Sequence, residues 1–185
     1  DMTLTNTSLF ATGFGTLTLG AIEKANLTGG DSNNMLRANA FSVGSVTLNG
    51  GNGDDILIGG TKNDVLNGGA GRDILIGSAG ADTRNGASED DILIGGNSPL
   101  SINAASLTAI RNEWTSGNAY ATRVANLTNG GGLNGTIKLN SSTITNDSSA
   151  ADSLTGSSEL DWFFQSANDI LVDFNAGLGE LKTTI

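Results

Sequence analysis

The sequence predicts an all-β fold, a parallel solenoid of short strands, and three observations carry the prediction. Between residues 50 and 94 one pattern recurs every nine residues. Glycine makes up 27 of the 185 residues, while proline occurs once, at Pro99. The apolar residues of the repeat come in triplets of isoleucine, leucine and valine, too short for a helix and suited to a strand. Glycine and asparagine between the triplets supply turns.

The columns of the repeat justify each element. The units are GGNGDDILI, GGTKNDVLN, GGAGRDILI, GSAGADTRN and GASEDDILI, starting at Gly50. Position one is always glycine. Position six is always aspartate: Asp55, Asp64, Asp73, Asp82 and Asp91. Position eight is leucine in four units, at Leu57, Leu66, Leu75 and Leu93. Glycine tolerates positive φ and close backbone approach, so positions one to five form a tight turn. Side chains alternate along a strand, so position eight faces a core while seven and nine face away. Two units make one flattened coil, and alternate units stack ~4.8 Å apart. Asp55, Asp73 and Asp91 then share one edge, and Asp64 and Asp82 the other. Carboxylates stacked so closely repel by ~1 kcal/mol per pair in water and by more when desolvated. A cation between turns would relieve this. Carboxylate and turn-carbonyl oxygens without nitrogen or sulfur ligands suit Ca²⁺ better than Mg²⁺, which demands a small octahedron and keeps its waters.

The segment resembles the RTX nonapeptide repeat, GGxGxDxUx. The resemblance implies a parallel β-roll with several Ca²⁺ ions between turns. Carried over by position, Asp55, Asp64, Asp73, Asp82 and Asp91 are the side-chain ligands. The turn carbonyls of Gly51, Gly53, Gly60, Lys62, Gly69 and Gly71 complete the shells. Lys62 and Glu89 replace the fourth-position glycine, and Ser78 and Ala87 the second. Arg84 stands in the inward leucine position of the fourth unit. A buried unpaired arginine is costly, so that rung is distorted, frayed, or pairs Arg84 with an acid. Sites involving Asp82 should be weaker than those of Asp55 and Asp73.

Four regions follow. Residues 1–49 carry the pattern in eroded form, as in GGDSNNMLR (29–37) and the alternating TLTLG (16–20), and read as lower solenoid rungs with little metal. Residues 50–96 are the calcium-binding roll. Residues 97–130 are a helical insertion: Leu107, Ile110 and Trp114, then Tyr120, Val124 and Leu127, fall at helical spacing and end at Gly117 and Gly130. Residues 131–185 hold strand-like alternation over 133–147, then degenerate repeats at Asp152, Asp161 and Asp169. These resemble terminal RTX rungs and are read as a hydrophobic C-terminal cap in preference to a second calcium block.

Positions seven and nine differ between alternate units. The odd units place Ile56, Ile58, Ile74, Ile76, Ile92 and Ile94 there; the even units place Val65, Asn67, Thr83 and Asn85. One outer face is therefore an isoleucine patch, large for an exposed surface. It should be covered by the helices of the insertion or by a second subunit.

Charge and composition limit function. The net charge is −10, from 19 acids and 9 bases, which favours cations as partners over nucleic acid or an anionic membrane. No apolar run reaches the ~18 residues a membrane span needs. The chain has no cysteine or histidine, which excludes disulfides, His or Cys zinc sites and a Ser-His-Asp triad. Asp1 opens the chain without methionine, as in a processed protein or a fragment. No acid pair stands apart from the aspartate ladder, so no catalytic residue is assigned and the chain is read as non-enzymatic. Residues 50–96 carry eight acids against three bases, so self-repulsion opposes folding until metal binds. The resemblance to the RTX repeat implies an extracellular, secreted bacterial domain that folds on Ca²⁺, in a surface, adhesin, matrix or filament-forming protein. The alternative is a secretion and folding module, in the C-terminal region of a larger type I-secreted enzyme or toxin. Self-association would use the isoleucine face or the solenoid ends.

Overall fold

The computed structural model describes residues 1–147 and 150–185. Its strands are β1 (Met2–Thr5), β2 (Ser8–Ala11), β3 (Gly15–Thr18), β4 (Lys24–Thr28), β5 (Met35–Ala40), β6 (Ser45–Asn52), β7 (Ile56–Ile58), β8 (Val65–Ala70), β9 (Ile74–Ile76), β10 (Thr83–Ser88) and β11 (Ile92–Ile94), then β12 (Ser153–Thr155), β13 (Trp162–Gln165), β14 (Ile170–Leu171) and β15 (Leu181–Thr184). From β4 onward odd and even strands sort into two sheets. One runs β15-β13-β11-β9-β7-β5-β1-β2-β3 and the other β14-β12-β10-β8-β6-β4. From β4 to β15 every pairing is parallel and joins a strand to the next but one, so the chain alternates between sheets as it climbs.

The register follows the nonapeptide. Ile56 pairs with Ile74, Ile74 with Ile92, and Ile92 with Trp162. Leu48 pairs with Leu66, Leu66 with Arg84, and Arg84 with Leu154. Position-eight leucines of both sheets meet in one core, where Leu36, Leu57 and Leu75 pack with Leu27, Leu48 and Leu66. Leu93, Leu154 and Phe163 continue it upward.

The two outer faces differ as expected. On the even sheet Val65 and Thr83 are exposed, and the Asn67 side-chain amide donates to Asn49, which donates to Asn26. On the odd sheet all six isoleucines are at most 1 % exposed. The chain leaves the solenoid after Gly95 and Gly96 and returns at Asp152, whose Oδ1 accepts the Asp82 N–H. The intervening segment holds a 3₁₀ turn (Pro99–Ile102), α1 (Ala104–Trp114) and α2 (Tyr120–Asn129). The Asn103 side chain caps α1 by accepting from the Ala105 and Ser106 N–H groups. Gly130, at φ 81°, ends α2. Leu107, Ile110 and Trp114 of α1 and Leu127 of α2 pack on the isoleucine face with Trp162 and Phe164. Burying each isoleucine there contributes ~1.5–3 kcal/mol. The chain's own helices thus fill the face, and it is not open to a second copy.

Three expectations change. Residues 8–18 are not solenoid rungs: β1 continues the roll by pairing parallel with β5 and burying Leu4 in the core, but β2 and β3 follow it as antiparallel strands. Alternating TLTLG patterns specify a strand but not its direction. Residues 133–147 make turns and a single bridge, Asn97 with Thr145, in place of a strand. Residues 153–184 extend both sheets by further rungs, with Leu154 and Phe163 in the leucine column. Among the described residues, no helix is long and apolar enough to cross a membrane.

Candidate metal centre

The position-six aspartates form two ladders, one along each edge of the roll. On the odd edge the Asn34 N–H donates to Asp55 Oδ1 (2.7 Å), Asp55 N–H to Asp73 Oδ1 (2.7 Å), Asp73 N–H to Asp91 Oδ1 (2.8 Å) and Asp91 N–H to Asp161 Oδ1 (2.8 Å). On the even edge the Val46 N–H donates to Asp64 Oδ1 (2.7 Å), Asp64 to Asp82 (2.7 Å), Asp82 to Asp152 (2.8 Å) and Asp152 to Asp169 (3.1 Å). One oxygen of each carboxylate thereby fixes the rung below, and the nine-residue spacing is what keeps the ladder in step.

The second oxygens separate the edges. Oδ2 of Asp55, Asp73, Asp91 and Asp161 is buried in every case without a hydrogen-bond partner. An unpaired buried acceptor costs ~1–3 kcal/mol, and more if charged. These oxygens lie in a column with backbone carbonyls, over glycines that leave the space free. A Cβ on Gly50 would stand 2.3 Å from Asp55 Oδ2 and 2.5 Å from Gly68 O. One on Gly68 would stand 2.2 Å from Asp73 Oδ2 and 2.8 Å from Gly86 O. Gly86 and Gly156 would likewise meet Asp91 Oδ2 at 2.0 Å and Asp161 Oδ2 at 1.9 Å. The odd edge is therefore a row of oxygen-lined cradles that a side chain would close.

Burial governs the charge state of these acids. It pushes the Asp55 carboxyl from 3.8 up to about 6, Asp73 up to about 8 and Asp161 up to about 7, and it holds Asp91 well above the usual carboxylate range. The stacked acids raise one another further: Asp55 acts on Asp73, and Asp73 and Asp161 on Asp91. Without a cation the column resists ionisation.

The odd-edge turns share one backbone form. Positions two and four have positive φ in each: Gly51 (110°) and Gly53 (105°), Gly69 (118°) and Gly71 (115°), Ala87 (86°) and Glu89 (71°), Ser157 (86°) and Glu159 (71°). A non-glycine residue there carries strain of ~1–2 kcal/mol. The turn keeps its form even where glycine has been lost. Carbonyls stack along the axis: Gly51 O is 2.1 Å from where a Gly69 Cβ would sit, and Gly53 O 2.5 Å from a Gly71 Cβ. Polar groups of the insertion hold the same edge from outside. Arg111 donates to the carbonyls of Asn34 and Asp54 (both 3.3 Å), Trp114 Nε1 to Asp90 O (2.8 Å) and the Tyr120 hydroxyl to Asp161 O (2.7 Å). Arg123 pairs with Asp90 Oδ2.

On the even edge no Oδ2 in the ladder is left over. Asp64 Oδ2 accepts the Gly60 N–H at 2.6 Å, and Asp169 Oδ2 the Ser166 N–H at 2.7 Å. Asp82 and Asp152 share the Arg84 guanidinium, with Nη2 at 3.3 and 3.1 Å. Of the three outcomes open for Arg84, pairing with acids is the one found.

The predicted ligands thus fall into two sets. Asp55, Asp73 and Asp91, with Gly51, Gly53, Gly69 and Gly71, come together on the odd edge with oxygens that fit a hard cation. Asp64, Asp82, Gly60 and Lys62 lie on the even edge, where the carboxylates already have partners. Sequence reasoning missed Asp161 as a full member of the odd column, and the carbonyls of Gly68 and Gly86. The signal for Asp161 was present, since Gly156 stands five residues before it as Gly50 stands before Asp55. Among the described residues no three acids converge as a preformed metal cluster. Any cation here must draw on single stacked carboxylates and main-chain carbonyls, a donor set that suits Ca²⁺.

No curated protein and no solved structure matches the chain. The model of the RTX calcium-binding nonapeptide repeat matches residues 49–83 in four copies. Residues 49–83 are therefore similar to the RTX calcium-binding nonapeptide repeat, a family that binds Ca²⁺ ions between successive turns.

Proposed function

We propose that the chain is a calcium-stabilised, non-catalytic structural domain that works outside the cell and completes its fold when calcium reaches the odd edge. The observation that carries this reading is the column of four buried, partnerless Oδ2 atoms on Asp55, Asp73, Asp91 and Asp161. Asp55, Asp73, Asp91 and Asp161 would hold the ions together with carbonyls such as those of Gly51, Gly53, Gly68, Gly69, Gly71 and Gly86. Bound calcium supplies positive charge that cancels the repulsion of the stacked carboxylates. With an extracellular-type Kd of ~10⁻⁴ M and ~1 mM free calcium, each site adds ~1.4 kcal/mol. Several such sites suffice to switch a marginal fold. In low-calcium cytosol the same acids oppose compaction, which suits export of an extended chain.

The host is a surface, adhesin, matrix or filament-forming protein in the first reading, and a secreted enzyme or toxin that uses this chain as a folding module in the second. Closure of the isoleucine face by the chain's own helices favours the second, because it removes that apolar face from assembly. Circular dichroism and particle size, with 1–10 mM calcium and with EDTA, test both. Calcium-induced β-structure in a monomer supports the folding module, and long particles support the assembly role. Unchanged β-structure in EDTA at neutral pH would refute calcium-dependent folding.

A further inference from the structure

We propose that the Arg84 guanidinium takes, on the even edge, the place that a cation takes on the odd edge, so that the even edge of the joint between the roll and the segment after the insertion closes without metal. This rests on the calcium reading of the odd edge. Arg84 occupies a leucine position in the interior column, between Leu66 and Leu154, and is 0 % exposed. A leucine there would end in the core. The longer arginine reaches outward to the edge and sets Nη2 between Asp82 Oδ2 and Asp152 Oδ2. The guanidinium lies over Gly77, where a Cβ would stand 1.5 Å from Nη2, so the glycine that elsewhere shapes an ion cradle here makes room for the side chain. Burial raises the Asp147 carboxyl, and the charge of Arg84 acts against that rise.

The place of this substitution in the chain gives it a purpose. Asp82 and Asp152 are neighbours in the ladder but 70 residues apart in sequence, because the insertion lies between them. Asp91 and Asp161 span the same gap on the odd edge, so the joint carries one rung that the proposed calcium would close and one that it would not. A guanidinium is covalently present from the start and attracts Asp152 back to the roll. The even edge at this rung is then set by the chain alone, and calcium acts on the odd edge.

Calcium stoichiometry of the full chain, measured by equilibrium dialysis, tests this. Asp73→Asn should bind fewer ions than the wild type. Asp82→Asn, which retains Oδ1 for the Asp64 N–H, should bind the wild-type number. Arg84→Leu should bind one ion more, as the column regains its leucine and the Asp82–Asp152 gap loses its cation. If Arg84→Leu does not fold, the Asp82→Asn and Asp73→Asn pair decides. Loss of ions in Asp82→Asn equal to that in Asp73→Asn would overturn the Arg84 assignment while leaving calcium binding intact. A wild-type chain that binds no calcium would overturn both.

Discussion

The odd and even edges of the roll are made from the same nonapeptide, with the same aspartate in the same place, and they finish in different chemical states. On the odd edge Asp55, Asp73, Asp91 and Asp161 each keep a buried oxygen with no donor. On the even edge Asp64, Asp82, Asp152 and Asp169 find Gly60, Arg84 and Ser166. The carboxylate alone does not make a cation site. The site depends on what else can reach the second oxygen: a main-chain N–H, a guanidinium, or nothing. The helices accentuate the contrast, since Arg111, Trp114 and Tyr120 all fasten to carbonyls of the odd-edge ladder.

The largest expected effect comes from removing that brace. Trp114 is fully buried, rests against Trp162 and Tyr120, and donates to Asp90 O. Trp114→Ala should cost ~3–5 kcal/mol in denaturant unfolding at saturating calcium. A loss under ~1 kcal/mol would mean that the odd edge does not depend on its outer support.

Asp73→Asn should change sign with calcium. At saturating calcium it removes a charged oxygen from the column and should destabilise by ~1–3 kcal/mol. In EDTA at neutral pH it removes an acid that burial resists ionising, and should stabilise. Asn34, at position six of an eroded unit, shows that the amide fits: its Oδ1 accepts the Gly30 N–H at 2.6 Å. Destabilisation of equal size in both conditions would remove the distinction between a ligand and a ladder residue.

The pH dependence follows from the same burial. Asp55, Asp73 and Asp161 bind protons more tightly in the fold than in the unfolded chain, with values of about 6, 8 and 7 against 3.8. Their contribution in EDTA is therefore most favourable below about pH 4 and is lost as pH rises through 6 to 8. In calcium the trend should reverse, because the ion requires the deprotonated form. Melting temperatures between pH 4 and 8, with and without calcium, check both slopes. A melting temperature in EDTA that climbs across this range would contradict the buried, cation-free column.

Much of this was legible from the sequence because the repeat carries two independent signals. Position eight set the leucine core, and the isoleucines at seven and nine required a cover that the helical spacing of Leu107, Ile110 and Trp114 could provide. The difference between the edges was not legible. It depends on whether the Gly60 N–H turns towards Asp64, and on Asp152 returning to Arg84 after a long insertion, and neither is a local property of the nonapeptide. The N-terminal meander escaped for a related reason: side-chain alternation in Thr16–Leu19 fixes a strand, while its antiparallel partner is set by the tight turn at Gly13, with φ 87°.

The smallest effect compares the edges at one position of the repeat. Position four is Glu89 on the odd edge and Lys62 on the even edge, each in place of the usual glycine. Glu89 sits at φ 71°, in the left-handed region that strains a side chain, so Glu89→Gly should stabilise by up to ~1 kcal/mol. Lys62 has no positive φ, so Lys62→Gly should destabilise by ~0.5–1 kcal/mol through the entropy of the unfolded chain. Opposite signs from one formal substitution, measured by urea unfolding in calcium, would show that the Glu89 turn holds a positive φ, as Ser78 and Gly80 do on the even edge, and that the Lys62 turn does not. Equal signs would mean that the backbone strain at Glu89 does not set the effect of the substitution.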